Sequence, residues 1–250
     1  MALPTSIPEV LTALNEIVEE CKAANSRSGY FAFIYRETTA RIAAGIEQQH
    51  FEDNERMIHF DVRFANYYIQ AYRDFKAGKP VAKPWKTAFL GAAESLTLIQ
   101  HILLGMNAHI NLDLALTASE VMKNKNIHAI KTDFYKVNEL LFSLTDEFQE
   151  RISRVSPLFF LLDWFGKNTD EQIINFSMEK ARSFSWANSV LLWTLADEHA
   201  IDPVSGLEQT VDQLGQRMQR PQSRFVRGLL QLIGYFETKE VSRVLEKINA

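Results

Sequence analysis

The sequence predicts an all-α fold: a multi-helix bundle around a long central helix at about 84–122. Apolar residues recur with the helical period along most of the chain, and no alternating strand pattern bounded by turn signals occurs. Helix start and stop signals punctuate that period at regular intervals. The segment from Pro84 to about Met122 stays helical in pattern with no proline inside and a glycine at 105.

Ser6-Ile7-Pro8-Glu9 reads as a capping box with proline in the first turn, opening a helix to about Ala24. After Ser26-Arg27-Ser28-Gly29 a second helix is predicted from about Tyr30 to Gln49. Asn54 caps a third, which stops near Gly78, where Lys79-Pro80 follows the glycine. KPVAKP is then a loop. The central segment exceeds an ordinary globular helix, so it is either one buried helix or broken near Gly105–Asn107; a central, kinked helix is expected. Asn126 caps a long helix to about Val155, and Pro157 opens a short apolar segment through Phe165. Thr169-Asp170-Glu171-Gln172 repeats the capping-box pattern and starts a helix to about His199. Shorter helices follow, broken at Pro203, Pro221 and near Thr238. The expected organisation is one helical domain over 1–250, with 203–250 as a small C-terminal helical appendage.

With 250 residues, 46% of them hydrophobic, the chain is long enough to bury a sizeable core. Its 23% charged residues lie near the globular average, which argues against wholesale disorder. The net charge of -4 and the scattered basic residues leave no electrostatic footprint for nucleic acid or an anionic membrane surface. Cys21 is the only cysteine, so neither a disulfide framework nor a cysteine-based metal cluster is expected. MALPTSIPEVL lacks the basic and apolar regions of a secretory signal, and no apolar run approaches the roughly 20 residues needed to span a bilayer. A reduced, cytoplasmic protein is expected. The chain holds no G-x-G-x-x-G, P-loop, G-x-S-x-G, H-E-x-x-H or C-x-x-C, so nucleotide binding and serine or cysteine hydrolysis have no specific support.

The most apolar stretch, HILLGMNAHINLDLAL, carries His101, Asn107, His109, Asn111 and Asp113. On a helix, His101, Gly105, His109 and Asp113 fall on one stripe at steps of four, with Asn107 and Asn111 on the other side. A helix apolar all round is buried, so each of these polar groups needs a partner. The spacing of His109 and Asp113 lets an imidazole and a carboxylate reach one metal ion. It equally fits a His–Asp pair that fixes helix packing. Asp133 sits on the apolar stripe of Ile130, Val137 and Leu140, and Asp163 is embedded in PLFFLLDWFG; each needs a cation, a cap or a site. Asp61 flanks the apolar face of the third helix, while His59, Arg63, Asn66 and Gln70 line the opposite side as a solvated face or a cleft wall. Arg36 is a further partner for a buried carboxylate. Arg182 lies among Met178, Trp186 and Trp193, as a cation–π contact, an aspartate partner or a pocket lining.

The string LLGMNAHINLDLAL, preceded by IQH, resembles the signature of a bacterial family of all-helical domains of unknown function. FDVRFANYY at 60–68, PW at 84–85, DFYKVN at 133–138, RVSPLFFLLDWFG at 154–166 and ARSFSW at 181–186 extend the resemblance over roughly 30–200. The resemblance implies Asp61, Asn66, His101, Asn107, His109, Asn111, Asp113, Asp133 and Asp163 as the family's polar positions, and no activity. A looser similarity is to helical zinc-dependent phospholipases and nucleases, which use H-x-x-x-D or H-x-x-x-E pairs. This chain has six histidines, no second such pair and no N-terminal tryptophan ligand, so a trinuclear zinc centre is not expected.

Three readings stay open at this level. In the first, a metal-dependent hydrolase, His109 and Asp113 hold one divalent ion, zinc or manganese, and Asp61, His101 or Asp133 complete its shell and the catalytic set. A bound water then cleaves an ester or phosphoester. In the second, a non-catalytic helical module binds a small, partly apolar ligand, with Asn66, Asn107, Asn111, Arg182 and Trp186 lining the pocket. In the third, the polar set is a purely structural network.

Overall fold

The computed structural model describes residues 2–156, 158, 178–196 and 202–249. Among these residues the regular structure is all helical: α1 (Ile7–Ala23), α2 (Ser28–Glu47), α3 (Asn54–Lys76), α4 (Lys83–Gly91), α5 (Leu98–Ala108), a π-turn (His109–Asp113), α6 (Leu114–Val121), a 3-10 turn (Ile127–Ile130), α7 (Lys131–Ser153), α8 (Met178–Thr194), α9 (Pro203–Gln219), α10 (Arg224–Phe236) and α11 (Val241–Asn249). The bundle predicted from the sequence is therefore the fold. The predicted Thr169 cap and the apolar segment after Pro157, apart from Leu158, lie outside the described residues.

Local signals explain most helix starts. Ser6 Oγ accepts the Glu9 N–H at the start of α1, but the Glu9 carboxylate bonds Thr5 rather than closing the predicted box. Asp53, one residue before the predicted Asn54, caps α3 by accepting the Arg56 N–H at 2.9 Å; a carboxylate also suits the positive end of the helix. Asn126 accepts from the His128 N–H and starts the 3-10 turn that leads into α7. Gly78 ends the α3 region at φ +70°, a conformation glycine adopts without strain.

The central helix differs from the expectation in two places. The stretch 84–122 is broken at 92–97, where the N–H groups of Ala92, Ala93 and Glu94 turn back onto Phe89, Leu90 and Gly91. Thr97 then opens α5 with a complete capping box to Gln100, so a local cap outweighs the continuous apolar pattern. The kink expected near Gly105–Asn107 is instead the π-turn, in which the Leu114 N–H reaches back five residues to the His109 carbonyl.

The run α5–π-turn–α6 lies at the centre. It packs against α2, α3, α4, α8 and α9, while α11 packs on α1, α2 and α7. The main core joins α1, α2, α3 and α11 around Leu14, Phe31, Tyr68, Trp85 and Leu114. A smaller cluster joins α5, α9 and α10 through Leu104, Met218 and Ile233. Gly105 sets the closest approach: a Cβ there would lie 2.3 Å from Phe31 Cγ, so α2 reaches α5 only because that position lacks a side chain.

Candidate functional site

Asp113, in the π-turn, is the hub of the stripe. Trp85, on α4 just after Pro84, donates its indole N–H to both carboxylate oxygens, at 3.2 Å and 3.0 Å. His109 Nδ1 lies 2.9 Å from Asp113 Oδ2, so one proton is held between imidazole and carboxylate. Burial disfavours charge on both groups. It pushes Asp113 well above the ordinary carboxylate range, against the Trp85 hydrogen bond, and holds His109 well below the ordinary imidazole range. The His109 ring stacks on Phe64 at 3.7 Å and meets the edge of Tyr35 at 4.3 Å, with Phe31, Tyr68 and Trp85 closing an aromatic box. Its Nε2 has no hydrogen-bond partner among the described residues.

The other stripe residues serve separate neighbours. Asn107 Nδ2 donates to the Val211 carbonyl at 2.9 Å and ties α5 to α9. Asn111 Nδ2 donates to Asn107 Oδ1 at 3.0 Å, forming a two-rung ladder across the turn. His101 stands two helical turns away beside Tyr30, with ring centres 5.9 Å apart. Burial, and then the Arg27 charge, push its pKa down to about 3, so it is neutral. Asn66 donates to the Pro4 carbonyl at 2.9 Å and holds the N-terminal arm against α3.

The buried acids fall into distinct settings. Asp133 is fully buried and saturated: it accepts the N–H groups of Glu52 and Asp53 at 2.7 Å and 3.2 Å and the Arg56 guanidinium at 2.8 Å. It fastens α7 to the start of α3, apart from the stripe. Asp61, in the middle of α3, makes no hydrogen bond among the described residues, and burial pushes its pKa up to about 7. Asp163 lies outside the described residues.

Asp61 and Arg182 meet on one cavity. Ile42, Phe60, Phe64, Leu114 and Phe134 supply much of the rest of its wall. The enclosed space is about 20 Å³, room for one water, and the surrounding space out to solvent amounts to about 380 Å³. Arg182 donates through Nη2 to the Phe134 carbonyl, and its guanidinium sits 4.6 Å over the Phe134 ring. Its Nε is buried without a partner among the described residues, and burial pushes its pKa down to about 9. No ion pair joins Asp61 to Arg182. Trp186 packs on Phe134 at 5.1 Å and on Tyr135 behind this wall. Arg36 bonds Glu37 and Asn15 at the surface, and Arg63 pairs with Glu120, so neither meets a buried acid.

Among the described residues the expected metal ligands are not gathered around one point. His109 and Asp113 bond each other, and no three His, Cys, Asp or Glu side chains converge on one point among the described residues. The residues expected to complete the shell lie apart: Asp133 is bonded to Glu52, Asp53 and Arg56, His101 stands beside Tyr30, and Asp61 makes no hydrogen bond among the described residues.

Sequence reasoning did not assign Trp85 a role in the site. Its signal was indirect: a tryptophan in the first turn of an apolar helix must find an acceptor for its N–H once buried. The aromatic box around His109 had no local signal, because Phe31, Tyr35, Phe64 and Tyr68 each read as ordinary core. Among the described residues no helix is long and apolar enough to cross a membrane.

No curated protein and no solved structure matches the chain at a significant level. A family model does, over residues 7–221, which include the stripe, the aromatic box, Asp61 and Arg182. The chain belongs to the family of unknown function DUF5995.

Proposed function

We propose that this chain is a non-catalytic helical module that seats the polar end of a small, partly apolar molecule between Asp61 and Arg182. One observation carries this reading: a buried carboxyl and a buried guanidinium line the same cavity, each with a polar atom that has no partner among the described residues, without pairing with each other. Buried polar atoms are almost always hydrogen-bonded, and leaving one unpaired costs on the order of 1–3 kcal/mol. A hydroxyl or primary amide taking the place of that one water would accept from Arg182 Nε–H and bond the Asp61 carboxyl, with its adjoining carbons lying in the space that opens toward solvent. The metal-hydrolase reading has no comparable support, because its two proposed ligands are engaged with each other. The stripe, by contrast, supports the structural reading: Trp85–Asp113–His109 and Asn111–Asn107–Val211 each join separate elements.

The test is a thermal-shift and ligand-observed NMR screen with small alcohols, primary amides and carboxylic acids. A ligand that binds the folded state raises the melting temperature with its concentration. The expected result is a hydroxyl or amide compound that stabilises the wild type but not Asp61→Asn or Arg182→Met. If all compounds leave the melting temperature unchanged, and a high-resolution structure shows a lone water bridging Asp61 and Arg182, the cavity is structural and the reading fails.

A further inference from the structure

A second, larger cleft lies at the other end of the central helix. It is bounded by the start of α2, the connection between α4 and α5, and the connection between α10 and α11, and its volume is about 240 Å³. Part of its wall, from Leu230 to Val244, lies beyond the family match at 7–221, so the cleft is not a feature of the matched region alone.

Its lining is divided by chemistry. Leu96, Leu98, Leu230 and Val244 form an apolar side. Arg27, Tyr30 and Lys239 bring two cations and a phenol to the same cleft. Arg27 is held in place through Nη1, which donates to the carbonyls of Ala92 and Glu94 at 3.3 Å each. Among the described residues, neither Arg27 nor Lys239 forms an ion pair, and the Tyr30 hydroxyl makes no hydrogen bond. Arg27 feels the charge of Glu237 across the cleft but forms no ion pair with it, and an arginine fixed through one guanidinium nitrogen presents its remaining donors to one oxyanion geometry.

Glu237 restricts which anion fits. It also lines the cleft, and its oxygens accept the Leu98 N–H at 2.8 Å and the Ser156 hydroxyl at 2.7 Å. A dianion would meet this carboxylate at close range, whereas a singly charged group is balanced by the two cations. We propose that this cleft binds a small monocarboxylate with a short apolar body, its carboxylate on Arg27, Lys239 and the Tyr30 hydroxyl. The site is independent of the Asp61–Arg182 cavity.

Titration of the full chain with benzoate and hexanoate, followed by calorimetry and amide chemical shifts, tests the proposal. Benzamide serves as the neutral isostere and inorganic phosphate, titrated well above its second ionisation so that it is the dianion, as the doubly charged control. Saturable carboxylate binding is expected, with the largest shifts at Tyr30, Leu96 and Thr238. Benzamide and phosphate should each bind at least about tenfold more weakly, the order expected for loss of a charge-assisted contact. Lys239→Gln, an exposed residue without a structural partner, should weaken benzoate severalfold, and Arg27→Gln should abolish binding. Should Arg27→Gln prove unfolded by circular dichroism, Thr238→Trp, which fills the cleft, replaces it. Asp61→Asn should leave the titration unchanged. Equal binding of benzamide, preference for phosphate, shifts confined to another region, or undiminished benzoate binding by Lys239→Gln and by Arg27→Gln or Thr238→Trp would each overturn the proposal. So would a failure of both carboxylates to saturate at millimolar concentration.

Discussion

Asp113 and Asp61 are buried to the same degree, yet one is the hub of a hydrogen-bond system and the other has no partner among the described residues. Phe64 links the two: it stacks on His109, the partner of Asp113, and also lines the Asp61 cavity. The contrast separates two uses of buried polarity. Around Asp113 the polar groups bond across elements and specify how α4 meets the π-turn. Around Asp61 the apolar wall leaves the carboxyl and the Arg182 guanidinium open to a guest. Asp133 marks the extreme of the first kind, with both oxygens occupied.

Substitution at the three aspartates sharpens this comparison. The largest effect is expected for Asp113→Ala, which strands the Trp85 N–H and the His109 Nδ1 in the core. A loss of about 3–5 kcal/mol should appear in urea denaturation as a lower midpoint with an unchanged slope. A loss below about 1 kcal/mol would break the view of Asp113 as the structural hub. Asp133→Asn removes the anion facing Arg56 but leaves an acceptor for one backbone N–H. About 2 kcal/mol is expected by the same measurement, because Arg56 is partly exposed and regains solvent.

Asp61→Asn is expected to act with the opposite sign, and only above the ordinary carboxylate range of pH. Asp61 titrates near 7 in the folded chain against an ordinary 3.8, so the folded state holds an extra proton between those values. The stability it contributes is present below about pH 4, falls as pH rises to about 7, and stays lost above. Asp61→Asn should therefore match the wild type near pH 4 and exceed it at pH 8, by up to about 4 kcal/mol for a pKa raised from 3.8 to about 7. The histidines act the other way: His101, with its pKa depressed to about 3, contributes stability above about pH 6.5 that is lost as pH falls toward 3. The difference between the variant and wild-type melting profiles isolates the Asp61 contribution. A flat difference from pH 4 to pH 8 would show that Asp61 has a partner in solution and would remove the contrast with Asp113.

The helices were legible where their signals are local. Ser6 with Pro8, the glycine at 78 before Lys79-Pro80, and Asn126 each act within four residues of where they sit. Burial of the stripe was legible too, because periodicity shows that the helix of His101 to Asp113 has no solvated face. The requirement that Asp133 have a partner followed from the same argument, though not that the partner is Arg56. The break at 92–97 was written in Thr97 and Gln100 but obscured by an apolar pattern that continues across it.

By itself, then, the sequence determined that this is an all-helical bundle and that the polar stripe from His101 to Asp113 is buried in it. Local propensity and burial require no knowledge of neighbours distant in the chain. Only the tertiary structure decided that His109 bonds Asp113 under Trp85, that the central helix widens into a π-turn there, and that Asp61 shares a cavity with Arg182. Those outcomes depend on which apolar faces meet and how closely. Gly105 against Phe31 shows how one missing side chain sets that distance.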